Sequence, residues 1–448
     1  MEETQRLADA IHEGNTEQIE SVLEGLDSRR IARVVCALAD ADQTAMLTAL
    51  TPEDAAELLE DIPDVEVIEA VSQLSPATAA AILHELPSDE QADLVGALDE
   101  EDADAILAAM DPAEAERIAQ LVAHDPESAG GLMATEVVSL RRTATVGRVL
   151  DRFRKDADRL RRLDVQYAYV TEKPRRLVGV LRLRDLLLAD ATTRLEDLMI
   201  ANPLSVSVTA DLRELSNLFE EYAFLGVPVV DAEGELLGVV SRSAVDDATQ
   251  DQAESDFRRS LGLVEEEVRS LPTLRRSRLR LAWLTINILL NVVAASVIAG
   301  YQDTLAQVIA LAVFLPIISD MSGCSGNQAV AVSMRELSLG LIEPFELLRV
   351  WLKEASVGLI NGVALGGLIG VVGWLYTGNA WLGLVVGGAL GINTLVAVLI
   401  GGALPLVLKL RGIDPALAAG PILTTVTDMF GFFLVLSLAT AVLPRLVG

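Results

Sequence analysis

The chain has 448 residues, with 65 Asp and Glu against 35 Lys and Arg and a formal net charge of −30. That length suits two to four domains, and a surface this acidic repels nucleic acid and anionic lipid while attracting cations. With only Cys36 and Cys324, far apart, no disulfide framework or cysteine zinc site can be built, and the acidic opening MEETQRLADAIHEG carries no apolar core, so no secretory signal is expected.

The charge is unevenly spread. From Pro272 onward there are ten basic and eight acidic residues, which leaves 25 basic and 57 acidic in the first 271. The acid therefore belongs to the front part, where it serves solubility or gathers cations according to how it is placed. His12, His84 and His124 lie on polar helix-like stretches and read as surface residues.

Residues 5–122 read as short amphipathic helices punctuated by proline. Pro52 and Pro76 are 24 residues apart, as are Pro63 and Pro87, and Pro112 follows Pro87 by 25. Proline is tolerated in the first helical turn, and helices this short cannot bury an apolar face alone, so the spacing predicts a stacked superhelix.

Residues 132–258 hold a second repeat. GLMATEVVSL is echoed by DLMIANPLSV at an offset of 66, and LVGVLRL by LLGVVSR at an offset of 59. Each copy is expected to run strand, helix, two strands, helix, and the duplication resembles a tandem pair of CBS domains. That module often binds adenine nucleotides, so the resemblance implies ATP there. In Ser243-Ala-Val-Asp246, Ser243 reads as a helix cap, with ribose or metal binding as the alternative.

From residue 281 come five apolar stretches, at 281–301, 305–334, 355–376, 381–408 and 415–443, each long enough to span a bilayer. The second has a glycine-rich centre that predicts a broken or kinked passage. LRRSRLR, the stretch from Arg335 to Lys353, and Lys409 with Arg411 place the basic loops inside, giving a cytoplasmic N-terminus and an external C-terminus. Gly362, Gly366 and Gly370, with Gly387, Gly388 and Gly391, predict close helix packing.

Within these spans Asp320 and Asp428 are the only acids well clear of the ends, and no Lys or Arg lies near either in sequence. An ionised carboxylate at the bilayer centre costs about 2.5–3.5 kcal/mol on insertion scales, so it requires a proton, a wet lumen or a bound cation. Thr424, Thr425 and Thr427 beside Asp428, and Ser322, Ser325, Asn327 and Gln328 after Asp320, supply oxygen-rich neighbours of the kind hard divalent cations take.

FLPIISDMSGCSGNQAVAVSMREL and DPALAAGPILTTVTDMFG resemble the two signature stretches of the MgtE-type magnesium channels. The resemblance covers the whole chain and implies an α-helical polytopic membrane domain of five transmembrane helices, preceded by an all-α superhelical repeat domain and an α/β tandem CBS domain. The expected bounds are 1–130 for the acidic helical domain, 131–246 for the CBS pair (131–195 and 196–246), 247–275 for a linking helix and 276–448 for the membrane domain. It further implies a homodimer in the plasma membrane with its pore on the two-fold axis. Asp428 would hold hydrated Mg²⁺ there, with the backbone near Thr424 helping; Asn327 and Asp320 are expected along the pore, Asp320 being additional to the family's commonest pattern. Where the family reads Gly-Gly-Asn-x-Gly-Asn-Gln this chain has Ser322-Gly-Cys324-Ser-Gly-Asn327-Gln328, so its first asparagine is replaced.

The family's soluble half closes the pore when cytosolic Mg²⁺ is plentiful. Asp89 and Asp93 share a helix face, Asp246, Asp247, Asp251, Glu254 and Asp256 line the helix leading to the membrane, and Asp414 precedes the fifth span; these are the expected sensor residues. A carrier coupled to Na⁺ or H⁺ and an intramembrane aspartyl protease using Asp320 and Asp428 are the rival readings. The protease lacks its Gly-x-Gly-Asp motif, and no enzyme activity is expected.

Overall fold

The computed structural model describes residues 2–157, 160, 166–173, 175–263 and 273–447. It separates into two compact units, Met1–Asp251 and Gln252–Gly448.

The first unit begins with ten helices: α1 (Glu2–Glu13), α2 (Thr16–Leu23), α3 (Ser28–Val35), α4 (Asp40–Ala49), α5 (Pro52–Glu60), α6 (Asp64–Ser72), α7 (Pro76–Leu83), α8 (Ser88–Ala97), α9 (Glu100–Ala109) and α10 (Pro112–Val122). Pro52, Pro76 and Pro112 occupy the first turn behind the caps Thr51, Ser75 and Asp111, whose side chains accept from the backbone N–H of Asp54, Thr78 and Ala113. There the missing proline N–H costs nothing, because it would have had no partner within the helix. Pro63 and Pro87 fall one position earlier, at the caps of α6 and α8. The stacking expected from the spacing is present as alternate-helix packing: α5 on α7, α7 on α9, α4 on α6, α6 on α8 and α8 on α10.

The helices lead into β1 (Met133–Ala134), β2 (Ser139–Arg141), α11 (Val146–Lys155), β3 (Tyr167–Glu172), β4 (Arg176–Arg182), α12 (Leu183–Leu188), α13 (Leu195–Leu198), β5 (Ile200–Ala201), β6 (Val206–Ser207), α14 (Leu212–Glu221), β7 (Gly226–Val230) and β8 (Leu236–Ser241). They form two four-stranded sheets, ordered β2-β3-β4-β5 and β1-β8-β7-β6. Each repeat thus gives its first short strand to the sheet of the other. Both echoed motifs belong to this exchange, for a Cβ on Gly238 would lie 2.9 Å from the sulfur of Met133, and one on Gly179 would collide with the sulfur of Met199. The helix α15 (Arg242–Ser260) follows β8 directly, and its cap is Ser241, whose Oγ accepts from the Ala244 N–H at 3.0 Å. Ser243 bonds Ser241 and does not take the capping role expected of it. Of the expected linking helix at 247–275, residues 264–272 lie outside the described part.

The second unit contains α16 (Thr273–Gly300), α17 (Gln302–Gln307), α18 (Leu311–Ser338), α19 (Leu347–Thr377), α20 (Ala380–Leu410), α21 (Pro415–Ala441) and α22 (Leu443–Val447). Among the described residues four helices are long and apolar enough to cross a membrane: Arg276–Gly300 of α16, then α19, α20 and α21. The fifth expected crossing, α18, has the length, at 28 residues, but carries the polar run from Ser319 to Gln328. The break expected at its glycine-rich centre is absent. α18 runs unbroken past Gly323 and Gly326, and the helical run is interrupted earlier, at residues 308–310 between α17 and α18.

The glycines of α19 and α20 pack backbone to backbone as their spacing predicts. A Cβ on Gly366 would stand 2.5 Å from the Gly387 carbonyl oxygen, and one on Gly362 the same distance from that of Gly391. Small residues here bring two 31-residue helices into direct contact.

Candidate functional site

Asp428 lies in the middle of α21 and is 7 % exposed. The threonines around it are occupied locally: Thr424 and Thr425 donate to the carbonyls of Gly420 and Pro421, and Thr427 to that of Thr424. The Asp428 side chain is instead met from α18, where Ser319 Oγ donates to its Oδ1 at 2.5 Å. From α20, Asn393 Nδ2 donates to Ser322 Oγ at 2.8 Å and to the Thr427 carbonyl at 3.1 Å. Two helices therefore meet at this carboxylate, and a third, α20, bonds the nearby residues Ser322 and Thr427. Ser319 and Asn393 were not among the residues singled out from the sequence. A search for charge in apolar runs passes over them, although an asparagine inside the apolar stretch LGINTLVAV is the same kind of signal.

Of the other expected pore residues, Asp320 adjoins Ser319 on α18 and is exposed, as are Cys324, Asn327 and Gln328. Their spacing places all four on one helix face, while Ser322 and Ser325 are buried on the other side against α20 and α21. Thr424 is half-buried one turn before Asp428. A helix face bearing a carboxylate and two carboxamides is untenable against hydrocarbon and demands water or more protein.

The expected sensor residues are not gathered into one centre. Among the described residues no group of three or more His, Cys, Asp or Glu side chains stands close enough to hold a metal ion. Asp89 is half-buried at the start of α8, where its Oδ1 is buried with no hydrogen-bond partner among the described residues. Burial, and secondarily the charge of Glu136, pushes its pKa up, against hydrogen bonds from the backbone. Beside it Ser88 Oγ donates to Glu136 Oε2 at 2.8 Å and accepts from the Thr135 N–H, which docks α8 onto the start of the sheet domain. Asp93 is exposed on the same helix.

Asp246, Asp247, Asp251 and Glu254 are exposed along α15, with Glu254 paired to Arg258 at 3.1 Å. Asp256 is half-buried, and its pKa is raised first by burial and then by Asp414, with Arg259 and Lys409 opposing. Asp414 caps α21 through the Ala416 N–H at 2.8 Å and pairs with Arg259 at 3.2 Å. Two of the expected sensor carboxylates thus already hold arginines. Two histidines also face carboxylates, His84 with Glu114 at 2.8 Å and His12 with Asp42 at 3.1 Å.

The sheet domain holds a cleft of about 650 Å³ whose lining includes Tyr167, Tyr169, Arg182, Arg184, Phe224 and Pro228. The Tyr169 hydroxyl is buried there with no partner among the described residues, and burial raises its pKa. Aromatic walls with arginines at one side suit a planar base carrying anionic groups.

Comparison with known proteins gives three family matches along the chain. Residues 315–438 match the divalent cation transporter family MgtE, residues 26–127 the MgtE intracellular N domain, and residues 129–192 and 195–250 the CBS domain. The magnesium transporter MgtE of Thermus thermophilus is 35 % identical over 343 residues, covering 75 % of this chain and 74 % of the relative. That of Enterococcus faecalis is 33 % identical over 327 residues, covering 73 % and 72 %. A crystal structure of the soluble part of a magnesium transporter superposes with a TM-score of 0.50 at 27 % identity, covering 56 % of this chain and 98 % of that one.

Proposed function

The chain belongs to the MgtE family of magnesium transporters, and on that premise we propose that Asp428 is the carboxylate over which hydrated Mg²⁺ crosses the membrane. The observation that carries the reading is the Ser319 to Asp428 hydrogen bond beside the exposed polar face of α18. Mg²⁺ takes oxygen ligands and sheds its water reluctantly, so one oriented carboxylate facing water serves it better than a dry cage of several. The face bearing Asp320, Asn327 and Gln328 needs a wet or protein-covered surface, and a second copy of the chain would provide both. Two Asp428 carboxylates on a two-fold axis would then share the charge of one passing ion. With five crossings the N-terminal unit is cytoplasmic and the C-terminus external.

The test is Mg²⁺ flux into vesicles carrying the full-length protein, with Asp428→Asn and Asp428→Ala. Both variants are expected to abolish flux, and undiminished flux through the amide would remove the assignment. Electrical recording separates a channel, which passes Mg²⁺ current down its gradient alone, from a carrier coupled to Na⁺ or H⁺.

For regulation, the proposal is that Mg²⁺ closes the pore by neutralising the acid of the cytoplasmic unit. Like charges 4 Å apart repel by about 1 kcal/mol in water and about 4 kcal/mol at an effective dielectric near 20, and divalent ions turn that repulsion into bridging. An ion that binds one arrangement better shifts the population toward it. The Oδ1 of Asp89, unpartnered among the described residues, and the exposed carboxylates of Asp246 and Asp247 on α15 support this reading. The Tyr169 cleft supports ATP as a second ligand, testable by whether Tyr169→Ala with Arg182→Ala abolishes ATP binding to the full-length chain.

A further inference from the structure

The geometry points to Asn393 as a positioning residue that sets α18 and α21 in the register at which Ser319 meets Asp428. This rests on Asp428 being the pore carboxylate.

Asn393 is fully buried in α20, a 31-residue apolar helix, where a carboxamide is costly unless its polar atoms are met. Only half of them are. Nδ2 donates to Ser322 Oγ and to the Thr427 carbonyl, while Oδ1 has no partner among the described residues. The amide orientation is fixed chemically: the Thr427 carbonyl can only accept, and Ser322 spends its own hydrogen on the Ile318 carbonyl at 2.7 Å. Asn393 therefore sits where its donors are used and its acceptor is not.

The two acceptors are informative in turn. Ser322 lies three residues beyond Ser319 on α18, and Thr427 directly precedes Asp428 on α21. One amide thus grips both helices that supply the Ser319 to Asp428 bond, each within a turn of the residue concerned. α21 leaves it room at Gly431, where a Cβ would lie 2.5 Å from Asn393 Nδ2. A slip of about 1 Å between α18 and α21 would break a bond of that length, so the clamp sets the orientation of the carboxylate. It relates to Asp428 as the partners behind a metal's ligands do, whose loss costs about 10- to 100-fold in affinity or activity.

The experiment is Mg²⁺ uptake by the full-length protein in vesicles, read as half-saturating Mg²⁺ and maximal flux per assembled channel. Asn393→Ala and Ser319→Ala are each expected to raise the half-saturating concentration about 10-fold, and the double variant no further than the larger single, because both remove one orientation. An unchanged half-saturation, or effects that multiply in the double variant, would overturn the inference and leave Asn393 a packing residue. If Asn393→Ala fails to assemble, Gly431→Ala decides, since its methyl displaces the amide without deleting it: the same upward shift supports the clamp and none refutes it. Asp428→Asn in the same assay distinguishes the two readings. Undiminished flux there fails the pore carboxylate, whereas blocked flux with an unmoved half-saturation in Asn393→Ala fails only the clamp.

Discussion

Asp428 in the second unit accepts a hydrogen bond from Ser319 and follows Thr427, whose carbonyl takes a buried amide, whereas Asp89 in the first unit keeps one buried oxygen with no partner among the described residues. Neither is in an ion pair among the described residues. The difference suits two kinds of work. A permeation site, as proposed for Asp428, must present the same geometry to every ion, and a carboxylate held by a hydroxyl donor on a neighbouring helix meets that need. A sensor, as proposed for Asp89, must be worse off without its ion than with it, and an unsatisfied oxygen beside a second acid, Glu136, would supply that imbalance.

The comparison breaks most sharply if the two acids are neutralised in turn. Asp428→Asn is expected to abolish Mg²⁺ flux, a larger loss than the about 10- to 100-fold that removal of a partner behind a metal-facing group costs. Asp89→Ala with Asp93→Ala is expected to leave flux at low internal Mg²⁺ intact and to abolish closure at high internal Mg²⁺. Retained closure in that pair would end the sensor reading and leave the pore reading untouched.

Next in size is a change that belongs to neither acid. Gly366→Val places its Cβ about 2.5 Å from the Gly387 carbonyl, so α19 and α20 must separate. Overpacking of this kind costs about 1–3 kcal/mol. The expected outcome is a lower melting temperature of the detergent-solubilised chain with half-saturating Mg²⁺ unchanged. A large shift in half-saturation would mean that the glycine seam, as well as Ser319 and Asn393, sets the pore.

These residues also mark what could be read beforehand. The glycines of α19 and α20 stated their packing through spacing alone, because a four-residue period puts them on one face whatever the partner. Asp428 stood out because charge in an apolar run admits few explanations. The exchange of β1 and β5 between sheets did not, although its contacts, Met133 under Gly238 and Met199 under Gly179, were the very motifs that revealed the duplication: an offset shows that two segments are equivalent and not which copy each one touches. Ser319 and Asn393 act only through their neighbours on other helices. The expected sensor acids were read from helix-face spacing and the family resemblance, neither of which reveals that Arg259 lies against Asp414.

A pH titration sharpens the picture of Asp89. Burial raises its pKa, so the folded chain keeps that proton to a higher pH than the unfolded one, whose Asp titrates near about 3.9. Through that window the folded state binds more protons, and stability falls as pH rises and returns as pH falls. Hydrogen exchange of α8 in the full-length chain, corrected for the intrinsic rate, is expected to slow on acidification from neutral pH without Mg²⁺. Asp89→Ala should remove the dependence and, by deleting an unsatisfied buried oxygen, protect α8 at neutral pH by about 1 kcal/mol. A slope that survives the substitution would assign it to another group.

The smallest effect concerns Asp414, which Arg259 holds at 3.2 Å with both side chains more than a third exposed. Such pairs contribute about 0.2–1 kcal/mol, so the arginine competes only weakly for the carboxylate. If Asp414 binds the closing ion, Arg259→Gln frees it, and the internal Mg²⁺ concentration that half-closes the pore should fall by about 1.5- to 5-fold, the same energy expressed as a ratio. A rise instead would show that Arg259 stabilises the closed arrangement itself, with Asp414 as its anchor. Asp414→Asn should raise the half-closing concentration under either reading, with no further change when Arg259→Gln is added, so the sign of the Arg259→Gln shift alone is what decides between them.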